Sequence, residues 1–253
     1  MSQKKAIVTG AGTGIGQGIA VKLGQAGYDV VVHYNSSAEG ALKACDAIRA
    51  AGQSAFAVQA DLSKKEDLDR FFDEAFDLLG GLTLYVNNSG ITKKCPFEET
   101  SEALFDELVS VNLKSAYFGV QRAANFMAKN NVHGNVVIIS SNNALQQRPD
   151  VSVYGTLKAA LIKMGRHAAM EYAKYGIRVN MIAPGWTVTE RTLKQDINET
   201  YYGIPLKRWC TPEEIGDMIL FYASDAALSI TGNCITADGG ARLLSDKAEK
   251  YGL

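Results

Sequence analysis

The chain has 253 residues, of which 47% are hydrophobic and 21% are charged, an ordinary composition for a globular protein. Its 26 lysines and arginines nearly cancel its 27 aspartates and glutamates. There is therefore no basic field to indicate nucleic acid or an anionic membrane as a partner. No apolar run approaches the length that spans a bilayer, and the N-terminal residues lead directly into a strand pattern. We expect one domain over residues 1–253, in the cytoplasm.

The cysteines and histidines have no spacing typical of a metal site. Cys45, Cys95, Cys210 and Cys234 lie far apart and form no CxxC pair, and the chain has only three histidines. We therefore expect no bound metal and reduced thiols.

Short apolar patterns typical of strands alternate with patterns typical of helices. Strands are predicted at residues 5–9, 29–34, 54–60, 82–87, 135–140, 177–183 and 233–237. Helices are predicted at 15–26, 38–51, 65–79, 101–129, 152–175 and 212–224. Most of the strands are apolar throughout, as strands covered on both faces must be. The alternation predicts an α/β Rossmann fold, with one doubly wound, seven-stranded parallel sheet and helices on both faces.

The start of the last helix has its own signal. Thr211 can cap the helix, Pro212 suits its first turn, and Glu213 and Glu214 follow at the positive end of the helix dipole. This sequence predicts a helix beginning at residue 212.

The first strand ends in the glycine-rich stretch TGAGTGIGQG. The strict GxGxxG spacing is absent, but TGxxxGxG is present in Thr9, Gly10, Gly14 and Gly16. Glycines at a strand-to-helix turn let the backbone turn tightly and approach a pyrophosphate at the helix N-terminus. We therefore expect a dinucleotide here, bound by Gly10, Thr13, Gly14, Ile15 and Gly16.

The end of the second strand selects the dinucleotide. A carboxylate there binds the ribose 2′-hydroxyl of NAD, but this chain has no acid until Glu39. The neutral residues at this position can accommodate a 2′-phosphate near the start of the next helix; they are His33, Tyr34, Asn35, Ser36 and Ser37. The missing acid favours NADP, whereas the absence of any arginine or lysine from this loop and from the glycine turn counts against it, so NAD stays possible.

Further motifs follow the glycine turn in order along the chain. They are ADL (60–62), NNSG (87–90), Asn112 in VNL, Ser141 at the end of IISS, Tyr154-x-x-x-Lys158, APG (183–185) and Thr189. Each is weak alone, but the ordered set is specific. The chain resembles the short-chain dehydrogenase/reductase family over essentially its whole length.

The resemblance implies a catalytic set of Asn112, Ser141, Tyr154 and Lys158. Tyr154 and Lys158 are four residues apart, on one face of the predicted helix. A free tyrosine is a poor acid–base group at neutral pH, and a nearby ammonium favours its phenolate. Ser141 would hold the substrate oxygen and Lys158 the nicotinamide ribose. The backbone of Asn112, within a long helix, would hold a water that relays protons to Lys158.

The resemblance also implies further cofactor contacts. Asp61 and Leu62 would lie near the adenine, and Thr187 and Thr189 near the carboxamide. The remaining positions carried over are Asn88, Gly90, Pro184 and Gly185. One departure is Ser89, where the family usually has alanine; its hydroxyl needs a polar partner.

Three loops are expected to form the substrate wall, at residues 91–99, 141–153 and 185–210, and the last (about 186–210) is long enough to act as a lid. We expect Ser141, Asn143, Gln147 and Trp186 to contact the substrate. Neutral amides suit a polyhydroxylated molecule, but they equally suit a solvated loop. The aromatic side chains of the lid are expected to fill its underside.

Three functions remain open. The 13-residue tail after the glycine pair (241–253) and RWCTPEEIG are similar to bacterial glucose 1-dehydrogenases, which indicates a sugar or polyol dehydrogenase. A 3-oxoacyl-carrier-protein reductase would use the same catalytic residues, with Lys93 and Lys94 facing an acidic carrier. A dinucleotide-sensing protein without turnover has no need of Tyr154 or Lys158. The resemblance further implies a homotetramer acting on a small carbonyl or alcohol.

Overall fold

The computed structural model describes residues 4–190, 192–194 and 204–243. Seven parallel strands form one sheet in the order β3-β2-β1-β4-β5-β6-β7. They are β1 (Lys5–Val8), β2 (Asp29–Tyr34), β3 (Ala55–Gln59), β4 (Leu84–Asn87), β5 (Asn135–Ile139), β6 (Arg178–Pro184) and β7 (Cys234–Ala237). Each predicted strand is present with its ends within two residues, which confirms the doubly wound parallel sheet.

The helices cover both faces of the sheet. They are α1 (Gly14–Gln25), α2 (Ala38–Ala50), α3 (Lys65–Leu79), α4 (Glu102–Val109), α5 (Ser115–Lys129), α6 (Ser152–Tyr172) and α7 (Pro212–Ala223). None of the helices in the described part of the chain is long and apolar enough to cross a membrane.

The helix predicted over residues 101–129 is present as a helical segment from Glu102 to Lys129, but it is not one uninterrupted α-helix. A π-helical turn at Ser110–Lys114 separates α4 from α5 and contains Asn112. Apolar periodicity continues across such a turn, because it adds only one residue to the local repeat. The helix predicted at 152–175 similarly ends at Tyr172 and continues as a 3₁₀ turn, Ala173–Tyr175.

The sheet separates two hydrophobic cores, because neighbouring residues of a strand face opposite sides. Ile7 packs with the core under α3, α5 and α6, whereas Ala6 and Val8 pack with the core under α1, α2 and α7. The order of the strands reverses between β1 and β4. Parallel sheets of this kind bind ligands at such a reversal, beyond the carboxyl ends of the strands.

The predicted start of α7 is confirmed. The Thr211 hydroxyl accepts a hydrogen bond from the backbone N–H of Glu214, and the Glu214 carboxylate accepts one from the backbone N–H of Thr211. Arg208 binds the same carboxylate with two nitrogens, at 2.7 and 2.9 Å, and this pairing lowers the pKa of Glu214 to about 2. The reciprocal cap fixes the point where the chain leaves the 185–210 loop.

Candidate active site

A cavity of about 1040 Å³ lies at the carboxyl ends of β1, β4, β5 and β6. It extends from the glycine turn after β1 to the first turn of α6. Of the residues that the sequence assigns to the site, those lining the cavity are Gly10, Thr13, Gly14, Ile15, Gly16, Asn88, Gly90, Ser141, Asn143, Tyr154, Lys158, Pro184, Gly185, Trp186, Thr187 and Thr189. The fold therefore brings together segments from both halves of the chain.

The glycine turn is tightly packed against the loop after β4. Gly10 has a φ of +63°, which strongly favours glycine. At Gly16, a Cβ atom would lie 2.2 Å from the carbonyl oxygen of Gly10 and 2.4 Å from Nδ2 of Asn88. Neither position can accept a side chain unless the turn moves.

Thr9 and Asn88 hold the ends of β1 and β4 together. The Thr9 hydroxyl accepts hydrogen bonds from the backbone N–H of Asn88 (2.9 Å) and Ser89 (3.1 Å). In return, Nδ2 of Asn88 donates to the carbonyl oxygens of Thr9 and Gly10. The carbonyl oxygens of Thr9 and Gly10 therefore already accept hydrogen bonds from the loop after β4.

The amino end of α1 fits the pyrophosphate of a dinucleotide. Thr13, the N-cap residue, makes no side-chain capping bond, and the first turn of α1 contains no acid. The helix therefore presents free N–H donors and its positive dipole end to the cavity, at the point where glycine permits close approach.

His33 lies beneath the glycine turn and does not line the cavity. The ring is buried, and its Nδ1 accepts a hydrogen bond from the backbone N–H of Gly10 at 2.9 Å. Its Nε2 lies 3.1 Å from the carbonyl oxygen of Ala60, so the proton of the neutral ring resides on Nε2. Burial lowers the pKa of His33 to about 4. The hydroxyl of Ser89 lies 3.5 Å from Nδ1, which supplies the polar partner that Ser89 requires.

Because the folded-state pKa of His33 lies below its ordinary value of 6.5, the unfolded chain takes up the proton first as the pH falls. The stability contributed by neutral His33 is complete above the ordinary pKa and is lost on acidification toward the folded-state pKa. Between about pH 7 and about pH 5, we expect the wild-type protein to lose about 2 kcal/mol more unfolding free energy than His33→Asn loses. Urea unfolding at both pH values measures this difference. The exposed His133 provides the control, and an unchanged pH slope in His33→Asn would contradict the assignment.

The residues assigned to the adenine end lie outside the cavity lining. They are Tyr34, Asn35, Ser36, Asp61 and Leu62. The Asp61 carboxylate accepts hydrogen bonds from the hydroxyl (2.6 Å) and backbone N–H (3.1 Å) of Ser63, and these bonds lower its pKa. Leu62 packs into the core beside α3. The structure therefore shows other contacts for both side chains.

Ser141, Tyr154 and Lys158 meet at the other end of the cavity. Lys158 is 96% buried, and its Nζ donates to the carbonyl oxygen of Ile139 at 2.9 Å. The same Nζ lies 5.6 Å from the centre of the Tyr154 ring. Among the described residues, no carboxylate pairs with this ammonium. Its remaining N–H donors are available to a ligand beside Tyr154.

Asn112 stands behind this group and does not line the cavity. Its side chain is fully buried: Oδ1 accepts from the backbone N–H of Ile91 (3.1 Å), and Nδ2 donates to the carbonyl oxygen of Leu108 (3.0 Å). A Cβ atom on Gly90 would lie 2.6 Å from this Oδ1 and 3.5 Å from Nζ of Lys158. Gly90 therefore separates Asn112 from Lys158, and the π turn sets the position of Asn112.

The residues expected to contact the substrate line two different cavities. Gln147 lies in an adjoining cavity of about 330 Å³ rather than in the main one. Nδ2 of Asn142 and Oδ1 of Asn143 are buried at the main cavity, with no hydrogen-bond partner among the residues that the structure describes. Trp186 stacks on the buried Trp209 at 5.3 Å. Tyr201, Tyr202 and the tail from residue 244 lie outside the described residues.

Sequence reasoning placed the three wall loops at the cavity but did not name every lining residue. The residues not named individually are Thr92, Arg148, Pro149, Asp150, Val151, Glu190 and Thr192 within those loops, and Ile139 and Ser140 outside them. Arg148 is the one with a visible signal, because it is a single cation among the neutral amides that precede α6. Asp150 has a positive φ of 62°, and its carbonyl oxygen accepts from the backbone N–H of Cys95. That bond joins the 91–99 and 141–153 loops, a contact that no sequence pattern predicts.

The fold and the cavity together define the class of the protein as an oxidoreductase that uses a nicotinamide dinucleotide. A family model described as enoyl-(acyl carrier protein) reductase matches residues 10–242. Glucose 1-dehydrogenase 2 of Bacillus subtilis is 36% identical, covering 98% of both chains. The 3-oxoacyl-acyl-carrier-protein reductase FabG of Staphylococcus epidermidis is 34% identical, covering 94% of this chain and 98% of its own. A short-chain type dehydrogenase/reductase from Mycobacterium marinum superposes with a TM-score of 0.87 at 30% identity, covering 95% of each chain.

The chain belongs to the short-chain dehydrogenase/reductase family, whose members use NAD or NADP. The family assignment made from the ordered motifs is therefore confirmed.

Proposed function

We propose that this enzyme interconverts a secondary alcohol and a carbonyl in a sugar or polyol, with NADP as the hydride carrier. The observation that carries the proposal is the convergence of Ser141, Tyr154 and Lys158 on one cavity whose other end is the glycine turn. A protein that only sensed the dinucleotide would need the turn but not the buried, unpaired ammonium of Lys158.

The bound dinucleotide supplies the hydride acceptor in the oxidative direction. Residues of this chain accept the proton of the alcohol and pass it on. The Ser141 Oγ accepts a hydrogen bond from the backbone N–H of Asn143 (3.2 Å), which leaves its own proton free to bind the substrate oxygen. Tyr154, as phenolate, accepts the alcohol proton as the carbon gives up its hydride. Lys158 stabilises that phenolate, and the proton then leaves through a water held near Asn112.

The preference for NADP is supported by the charges around the end of β2. Tyr34 ends the strand, and no acid follows it along the chain before Glu39. The first acid of α2, Glu39, pairs with Lys43 at 2.7 Å, so its charge is already balanced. Ser37, the N-cap of α2, makes no side-chain capping bond, and its helix end can receive a 2′-phosphate. NAD remains the alternative carrier.

The sugar or polyol class is supported by the buried amides of Asn142 and Asn143, since amides both donate to and accept from hydroxyl groups. The glucose 1-dehydrogenase relative adds to this support. The second candidate is reduction of a 3-oxoacyl thioester. It is favoured by the FabG relative and by the exposed Lys94, which lines the cavity.

We also propose that the enzyme is a cytoplasmic homotetramer. Large apolar side chains are exposed on the helices that we expect at the subunit contacts: Tyr117 and Phe118 on α5, and Met170 on α6. His167 on α6 is exposed as well, and we assign it to the same contact. A lid at 186–210 and a tail at 241–253 would complete the substrate site.

The test follows nicotinamide absorbance while the purified protein meets NADP⁺ or NAD⁺ with aldoses, polyols and sugar acids. We expect turnover, with kcat/KM for NADP⁺ at least about tenfold above that for NAD⁺, a difference of about 1.4 kcal/mol. Reduction of 3-oxoacyl thioesters by NADPH, without oxidation of any sugar compound, would overturn the substrate class. A higher kcat/KM with NAD⁺ would overturn the cofactor preference.

A further inference from the structure

We propose that Arg148 pairs with a carboxylate of the substrate, so that the polyol oxidised here is a hydroxy acid. This inference rests on the proposed function and narrows its substrate class. It assigns Arg148 as the residue that determines specificity at the end of the cavity away from the glycine turn.

Arg148 is half-buried and lines both the main cavity and the adjoining one. Its guanidinium lies over the ring of Trp186, 5.1 Å from the ring centre, and Trp186 in turn stacks on the buried Trp209. This distance is within the range of a cation–π contact. The N–H donors of a guanidinium lie in its own plane, at its edges, where a planar carboxylate can accept two of them.

Those donors have no acceptor within the described part of the chain. None of the hydrogen bonds or ion pairs formed there involves the Arg148 guanidinium. Burial alone lowers the pKa of Arg148, which means that the charge is partly removed from water without a compensating anion. Burying such a charge costs free energy unless an anion pairs with it.

The other charged groups of the cavity do not supply that partner. Asp150 and Glu190 line the cavity, but neither forms an ion pair with Arg148. The charge of Glu190 acts on Lys43 of α2, beside the glycine turn rather than beside Arg148. Lys94 adds a second cation to the lining. The end of the cavity that holds Arg148 therefore favours an anion.

The amino end of α6 reinforces this preference. Val151, its N-cap residue, has no side chain that could accept a hydrogen bond, and the first turn of α6 contains no acid. Val151 and Tyr154 both line the cavity. The positive end of a 21-residue helix thus adds to the field of Arg148 close to the catalytic tyrosine.

The substrate that fits carries hydroxyls for the amides of Asn142 and Asn143, an oxidisable alcohol for Ser141 and Tyr154, and a carboxylate for Arg148. A polyhydroxy acid has all three. Oxidation converts its secondary alcohol to a ketone, transfers the hydride to NADP⁺ and releases one proton. The carboxylate is not changed by the reaction.

The experiment compares aldonates with their own amides, which differ only in the charged group. For the wild-type enzyme we expect a kcat/KM at least about tenfold higher for each acid than for its amide. Arg148→Gln should lower kcat/KM for the acids by about 30-fold, mainly through KM, and change the amides by less than about threefold. Arg148→Lys should recover part of the loss for the acids, because it keeps the charge but loses the paired donors.

Arg49→Gln is the matched control, because Arg49 binds the carbonyl oxygen of Ala55 at the amino end of β3, the opposite edge of the sheet. The inference is overturned if acids are no better than amides, or if Arg148→Gln weakens both equally. It is also overturned if aldose phosphates surpass the aldonates. Turnover of sugars without any preference for acids would leave the proposed function standing, whereas no turnover of any sugar compound would remove both.

Discussion

Tyr154→Phe should lower kcat by about 1000-fold, because it removes the group that takes the proton from the alcohol. Binding of the dinucleotide should change by less than about threefold, since the phenylalanine ring still fills the same place beside Lys158. Steady-state turnover measures the first effect, and titration of the protein with NADPH measures the second. This combination separates a loss of chemistry from a loss of the cofactor site.

Tyr175→Phe is the control for Tyr154→Phe. Tyr175 is exposed and also has a lysine over its ring, with Nζ of Lys174 at 5.1 Å from the ring centre. Removing its hydroxyl should leave kcat unchanged. If Tyr154→Phe retained more than about a tenth of the wild-type kcat, the tyrosine would not be the acid–base group, and the proposed function would fail.

Gly90→Ala should lower kcat by about 100-fold by displacing Asn112. The new Cβ atom would lie 2.6 Å from Oδ1 of Asn112, far inside normal contact distance. The amide cannot turn away without breaking its bonds to Ile91 and Leu108. A shift of about 1 Å in a group that supports catalysis can cost about 100-fold in rate. Turnover, together with the urea midpoint to confirm folding, measures the effect.

A double-mutant cycle shows whether Gly90 acts through Asn112. If it does, adding Gly90→Ala to Asn112→Ala should lower kcat by less than about threefold beyond the single change, because the displaced amide is already absent. Gly81→Ala is the control: a Cβ atom there would first meet the flexible side chain of Lys5, at 3.3 Å. Fully additive losses of the two active-site changes would contradict the role given to Asn112.

Local patterns were sufficient to predict the elements of the fold. The strands could be found because each is an apolar run between turn residues, and the start of α7 because Thr211, Pro212 and Glu214 are adjacent in the chain. The π turn at Ser110–Lys114 could not be found. An inserted residue of that kind is stabilised by contacts from outside the helix, such as the bond from Ile91 to Asn112.

His33 shows the same limit at the cofactor site. Its position at the end of β2 indicated a contact with the dinucleotide, but the ring is buried and supports Gly10 from below. A sequence gives the place of a residue along a strand. Alternation along β2 puts the side chain on the α3 side, where Phe71 packs against the ring, and only the tertiary structure shows that Gly10 is its hydrogen-bond partner.

The sequence by itself determined the family and the strands of the sheet, because the ordered motifs and the apolar runs can be read along the chain; the acid–base pair Tyr154 and Lys158 stays a prediction from their spacing within one helix. Only the tertiary structure decided that Arg148 lies over Trp186, which stacks on Trp209, at the cavity. It also decided that Gly90 separates Asn112 from Lys158. These contacts join segments far apart in the chain, and their distances are set by how the loops pack at one edge of the sheet.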